Sequence, residues 1–244
     1  MGKQFRRLCK YTFIIIYTMK NPALIIFVLC IQLFNAQNVY LNKVEKTNDN
    51  TDKFLYHVNE DIKDREYLAE LEVQGFSKDD AIVFSHIYKK AKEVGANTFS
   101  LKPFENIEGR SQPFNPANYK MALYYTPKEK LADQNGALYI FASSDKEQKI
   151  SINRKDYVLS PRSYIKVKIV PGEVYTISTK KLLGSAIKIQ PKDKDENLYF
   201  QISSLKVKPD TSGVGGLNLK TGDIIGLEKS YAEFLSVIYT ENKP

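Results

Sequence analysis

The 244-residue chain carries 36 Lys and Arg against 28 Asp and Glu, but its first 36 residues hold five of those bases, both cysteines and no acid. The other 208 residues set 31 bases against 28 acids, a net +3, with two histidines and no thiol. This excludes a concentrated basic footprint for nucleic acid, a disulfide and a thiolate metal site, and a chain of this length buries a core without such staples.

In chain order, Lys3, Arg6, Arg7, Lys10 and Lys20 precede an apolar run from Ala23 to Phe34. A secretory leader needs a basic start, about 7–15 apolar residues and a small residue before the cut. Lys20, Ala23–Leu33 and Ala36 meet these conditions, so residues 1–36 are expected to be a signal peptide cleaved between Ala36 and Gln37. Met19 is expected to be the true start. From Ala23 to Phe34 there are 12 residues, short of the roughly 20 of a spanning helix. The membrane would then be met only through an uncleaved leader. Lipidation at Cys30 is disfavoured by the bulk of the preceding Leu29.

Residues 37–66 are polar and mixed, and read as a spacer with at most an edge strand at Phe54–Val58. Tyr67–Val73 alternates apolar and polar, the period of a half-buried strand. Ser77 with Asp80 three residues later has capping-box spacing for a helix. Phe84, Ile87, Tyr88, Ala91 and Val94 form its apolar stripe, and Gly95 closes it. Strands are expected at Asn97–Leu101 and Tyr119–Tyr125, which makes residues 67–126 a small β-α-β-β unit.

From Gly136 the period stays at two. Ala137–Ala142, Lys149–Asn153, Tyr164–Val170, Val174–Thr179, Ala186–Gln190 and Leu198–Val207 read as strands of an antiparallel β-sandwich spanning residues 136–207. In the third of these, Ile165, Val167 and Ile169 share one side and Lys166 and Lys168 the other. Pro171-Gly172 reads as a tight turn. Residues 208–244 read as a loose segment followed by a short helix through Tyr231, Phe234, Leu235 and Ile238. The expected fold class is α+β.

No chemical motif stands out. Gly213–Thr221 lacks the glycine before lysine that a phosphate loop requires, since Leu219 stands there. His57 and His86 have no partners at ligand or general-base spacing; Asp79 and Asp80 suit a helix N-terminus instead. Asp193, Asp195 and Glu196 alternate with Lys192 and Lys194, the pattern of a solvated turn rather than a glycosidase pair. Glu196–Gln201 matches a plant-virus protease site used for removing tags, a coincidence inside a strand. Of the many aromatics, Tyr124, Tyr125, Tyr139, Tyr164, Tyr175, Tyr199 and Phe200 fall in expected strands. They read mainly as core, with an outward tyrosine cluster for a sugar or a partner protein as the alternative.

Two partial resemblances follow. The helix end Lys90-Ala91-Lys92-Glu93-Val94-Gly95-Ala96-Asn97, within Tyr67–Leu101, resembles small bacterial envelope lipoproteins, including the outer-membrane stress sensors of the Rcs phosphorelay. The resemblance implies a compact α/β unit. Those sensors carry disulfides and a lipid anchor, for which the chain beyond residue 36 has no cysteine. Residues 136–207 look like a bacterial secreted β-sandwich family of unknown function. That likeness rests on Ala137-Leu138-Tyr139-Ile140, Asn153, Tyr164, Pro171-Gly172, Tyr175 and Leu198-Tyr199-Phe200. Neither resemblance supplies catalytic, cofactor or metal residues.

The expectation is an exported, envelope-associated protein, periplasmic, outer-membrane associated or secreted, with a binding or structural role. Its partner would be an envelope protein or a glycan, and it would need no cofactor. The alternatives are an extracytoplasmic hydrolase with an unrecognised carboxylate site between the two units, or a membrane-tethered sensor.

Overall fold

Fifteen strands and two α-helices are arranged in three sheets in a computed structural model that describes residues 38–243 except 59–63, 76, 78, 106–107, 132–135, 181–183, 193–196, 204–219 and 222. The proposed cleavage residues Ala36 and Gln37 lie outside the described residues, as do Asp193, Asp195, Glu196 and Gly213–Leu219.

The first sheet has the order β1-β3-β5-β4-β2, formed by β1 (Asn38–Val44), β2 (Tyr56–His57), β3 (Glu66–Gln74), β4 (Thr98–Lys102) and β5 (Asn118–Tyr125). Its pairs are antiparallel except β2 with β4. Residues 37–66, expected as a spacer, therefore supply two strands. β1 is an edge strand that buries little beyond Val39 and Leu41, so its composition looks like that of a solvated segment. β3 shifts register near its start, between Tyr67 and Ala69, where Leu68 and Ala69 are both buried, and then keeps the expected alternation through Leu71 and Val73.

α1 (Asp80–Glu93) lays Val83, Phe84, Ile87 and Ala91 against this sheet's core. It begins later than the capping box suggested. The Asp79 carboxylate accepts from the amides of Ala81 and Ile82 at 3.1 and 3.2 Å, while the Ser77 hydroxyl accepts from Asp79 N–H at 3.0 Å. The Asp side chain at the N-cap is equally able to satisfy those free amides.

The sandwich portion has a four-stranded sheet, β11-β10-β7-β8, and a six-stranded sheet, β13-β14-β12-β6-β9-β15. The first contains β7 (Gln148–Ile152), β8 (Lys155–Leu159), β10 (Tyr175–Thr179) and β11 (Ala186–Ile189), all antiparallel. The second contains β6 (Ala137–Phe141), β9 (Ser163–Lys168), β12 (Leu198–Ile202), β13 (Lys220–Thr221), β14 (Ile224–Gly226) and β15 (Thr240–Glu241). It is mixed rather than antiparallel: β12 runs parallel to β6, and β15 parallel to β9. The chain leaves the four-stranded sheet after β11 and re-enters beside β6, a crossing that local periodicity does not encode.

Alternation along β6 divides the interior. Leu138 and Ile140 face the four-stranded sheet and pack with Ile150, Ile165, Ile177, Phe200 and Ile202. Tyr139 and Phe141 face the opposite way, into a core shared with Phe99, Met121, Leu123 and the helix α2 (Lys229–Ile238). Residues 37–244 thus form one compact unit. The zone between α/β layer and sandwich, where the hydrolase alternative would sit, is filled by Phe141, Tyr164, Tyr199, Phe234 and Leu235. Burying each such side chain contributes about 1.5–3 kcal/mol.

Candidate functional site: a groove between two open sheet edges

The β7–β8 hairpin turns through Asn153 and Arg154, whose φ values of 48° and 71° define a two-residue turn that matches strand twist. Such a turn makes its flanking residues, Ile152 and Lys155, a hydrogen-bonded pair. Tyr157 and Leu159 then also bond to β7, and the backbone groups of Asp156 and Val158 point away from it. Among the described residues no strand lies on that side of β8.

The edge of the neighbouring sheet lies alongside. β15 holds β9 through Thr240 N–H to Arg162 O at 3.0 Å and Asn242 N–H to Tyr164 O at 2.7 Å. The Asn242 amide reaches Ser163 Oγ at 3.2 Å and Val158 O at 3.4 Å, and so links the two sheets. Between these edges lies a groove of about 480 Å³, lined by Lys155–Leu159, Ile165 and Glu241–Lys243. Leu159 and Ile165 form a buried apolar floor with the half-buried Tyr157.

The rim is charged and largely satisfied on its acidic side. Asp156 Oδ1 lies 3.0 Å from Lys180 Nζ, and Glu241 Oε2 accepts from the Tyr164 hydroxyl at 3.4 Å. Burial and the Glu241 charge push the Tyr164 phenol above its ordinary range. Lys155 Nζ stands 5.3 Å from the Tyr157 ring centroid. The arrangement can accept an extended chain, with backbone groups along one wall and an apolar floor beneath.

The tyrosines the sequence singled out face mainly inward. Tyr164, Tyr175 and Tyr199 are buried and Tyr139 is half-buried, so no outward cluster is made of them. The polar end of Tyr199 meets Glu233 of α2: its hydroxyl donates to Glu233 Oε1 at 2.7 Å and accepts from Asn197 Nδ2 at 3.1 Å. Tyr139 packs beside Tyr199 with centroids 5.1 Å apart and rings tilted by 32°, and Lys166 Nζ lies 5.3 Å from the Tyr139 ring. Burial raises the Glu233 carboxyl, against the Tyr199 hydrogen bond and the Lys229 charge.

The two histidines stay apart. His86 is exposed on α1; His57 lies on β2 with its ring 5.7 Å from that of Phe99, and burial lowers its pKa. Among the described residues no group of three or more His, Cys, Asp or Glu could hold a metal ion, and no helix is long and apolar enough to cross a membrane. Two features escaped sequence reasoning. One is β8 itself, five residues behind a turn without glycine. The other is a buried cluster in which Asp80 accepts from Arg162 and Tyr239. Neither carries a local signature.

No protein-family model, curated protein or solved structure matches this chain. The two resemblances therefore rest on the residues quoted for them.

Proposed function

We propose that this chain is an exported, envelope-associated protein of binding rather than catalytic role, which holds its partner in the groove between β8 and β15. The observation that carries this reading is the groove's make-up. Its wall is an open strand edge, its floor is apolar, and both its acids are engaged, Asp156 by Lys180 and Glu241 by Tyr164. A site built to cleave would aim a carboxyl group at the reacting bond. A site built to hold presents area, and this one does so along an edge that no other described strand uses.

The export half of the proposal is supported by the basic, apolar and small-residue order of the first 36 residues. Two measurements test the whole. N-terminal sequencing of the protein recovered from the cell envelope should begin at Gln37. A photo-crosslinking amino acid in place of Tyr157 should capture an envelope protein or glycan, while the same group in place of the exposed His86 should not. Intact chain dissolved in the cytosol, or equal capture from both positions, overturns the reading.

A further inference from the structure

We propose that the groove takes an extended polypeptide segment bearing acidic side chains, which adds as a fifth strand to the free edge of β8. This rests on the binding role proposed for the same groove. Asp156 and Val158 direct their N–H and C=O groups outward, and among the described residues only Val158 O of these meets a protein group, the Asn242 amide at 3.4 Å. A row of open backbone donors and acceptors with strand spacing is a template for another strand. β8 carries no proline, and Asn242 is a side chain that an incoming carbonyl or amide can displace. Beneath that edge the half-buried Tyr157, backed by the buried Leu159 and Ile165, offers apolar contact to the side chains of the added strand that face it.

Charge selects among strands. Lys180 already answers Asp156, and the Tyr164 hydroxyl bonds Glu241. Lys155 and Lys243 line the same groove and neither makes an ion pair among the described residues. Three lysines thus face two acids, and Lys155 stands on the same face of β8 as Tyr157, which favours a segment with an acidic residue opposite Lys155 and apolar residues opposite Tyr157 and Leu159. A second copy of this chain would bring the same surplus of lysine, with its Asp156 already set against Lys180 and its Glu241 bonded by Tyr164.

The test uses the purified full-length protein and a fluorescently labelled hexapeptide with two Glu residues at one end and apolar residues elsewhere, with its Lys counterpart as control. The acidic peptide should bind saturably and slow hydrogen exchange at the amides of Asp156 and Val158. The basic peptide should bind about tenfold more weakly or worse, a difference of one well-placed charge contact. Lys155→Glu combined with Lys243→Glu should reverse that preference. Val158→Pro should abolish binding, because it removes an outward N–H and no bond to β7; circular dichroism checks that the fold persists, and the lysine pair decides if it does not. Equal binding of both peptides, or of neither, overturns the proposal. So does protection of the two amides that grows with protein concentration alone, which would make a second copy the occupant, or protection given by an oligosaccharide. If peptides fail while the Tyr157 crosslinker still captures envelope material, strand addition falls and the groove's binding role stands; if both fail, both fall.

Discussion

Arg162 Nη2 lies 2.8 Å from Asp80 Oδ1, joining the turn before β9 to the first residue of α1 across 82 positions of sequence. The same nitrogen donates to Ser77 O at 2.8 Å, and the Tyr239 hydroxyl donates to Asp80 Oδ2 at 2.8 Å. Asp80 is only 6% exposed. Three parts of the chain, the start of α1, the turn before β9 and the residue that caps α2, are thereby fixed to one carboxyl group.

Arg162→Met should be strongly destabilising. Removing one partner of a buried ion pair leaves the other uncompensated and costs about 3–5 kcal/mol. Burial already raises the Asp80 pKa, opposed by the Arg162 charge and the Tyr239 hydrogen bond. Without Arg162 it rises further, so the native state binds more protons than the unfolded one and the deficit should shrink as pH falls toward about 4. Tyr239→Phe should cost only about 1 kcal/mol. Urea titrations between neutral and acid pH check both; an Arg162→Met loss that is small or independent of pH would remove the cluster from the account of stability.

Gly95 should resist substitution more than other glycines with positive φ. Its φ is +76°, and a Cβ there would stand 1.7 Å from Asn48 O, whose own amide donates to Val94 O at 3.0 Å. Gly172 has φ +82° with nothing within 4 Å of a Cβ. Gly172→Ala therefore measures backbone strain alone, about 1 kcal/mol. Gly95→Ala adds displacement of the segment around Asn48 and should cost at least about twice as much, with faster amide exchange near Asn48. Equal losses would show that the close approach contributes nothing.

These contacts explain what the sequence disclosed and what it withheld. α1 was legible because Phe84, Ile87 and Ala91 recur at helical steps and all face the same core. β9 and β10 were legible because alternation fixes which side chains share a face. β1 and β8 were not, since an edge strand buries too few residues to write a period. Alternation also placed Tyr139 and Phe141 on one face of β6 without showing that α2 covers it. The groove depends on which strand has no neighbour, a property of pairings far apart in the chain. The Asp80–Arg162 contact is of the same long-range kind.

Lys92 should anchor the segment that precedes β2. Its Nζ donates to Asp52 O at 2.7 Å, Phe54 O at 2.6 Å and Ala96 O at 3.0 Å. Burial lowers its pKa from 10.5 to about 8, with the charges of Asp52 and Glu228 opposing. The unfolded lysine holds its proton to higher pH than the native one, so this group makes stability rise as pH increases from about 8 toward 10.5. Lys92→Met should remove that rise and, by leaving three carbonyls without their donor, cost about 2 kcal/mol near neutral pH. Thermal unfolding of both proteins from neutral to alkaline pH decides; a mutant that keeps the alkaline gain would assign it to another group.

Glu233 should act in the opposite pH range. Burial raises its carboxyl pKa above the ordinary 4.5, against the Tyr199 hydrogen bond, the Lys229 charge and a backbone bond from His57. A raised native carboxyl binds more protons than the unfolded one, so its contribution to stability is greatest below about 4.5 and is lost as pH rises through the native value. Glu233→Gln keeps an oxygen to accept the 2.7 Å bond from Tyr199 and removes the buried charge. Near neutral pH it should be more stable than the parent by about 1 kcal/mol, roughly 2–4 °C in Tm, and the advantage should vanish by about pH 4. Glu233→Ala should instead be less stable at both ends, because the Tyr199 hydroxyl then loses its acceptor within the core shared by sheet and helix. A glutamine variant weaker than the parent at neutral pH would mean that the negative charge is itself needed there, set against Lys229 and Lys166.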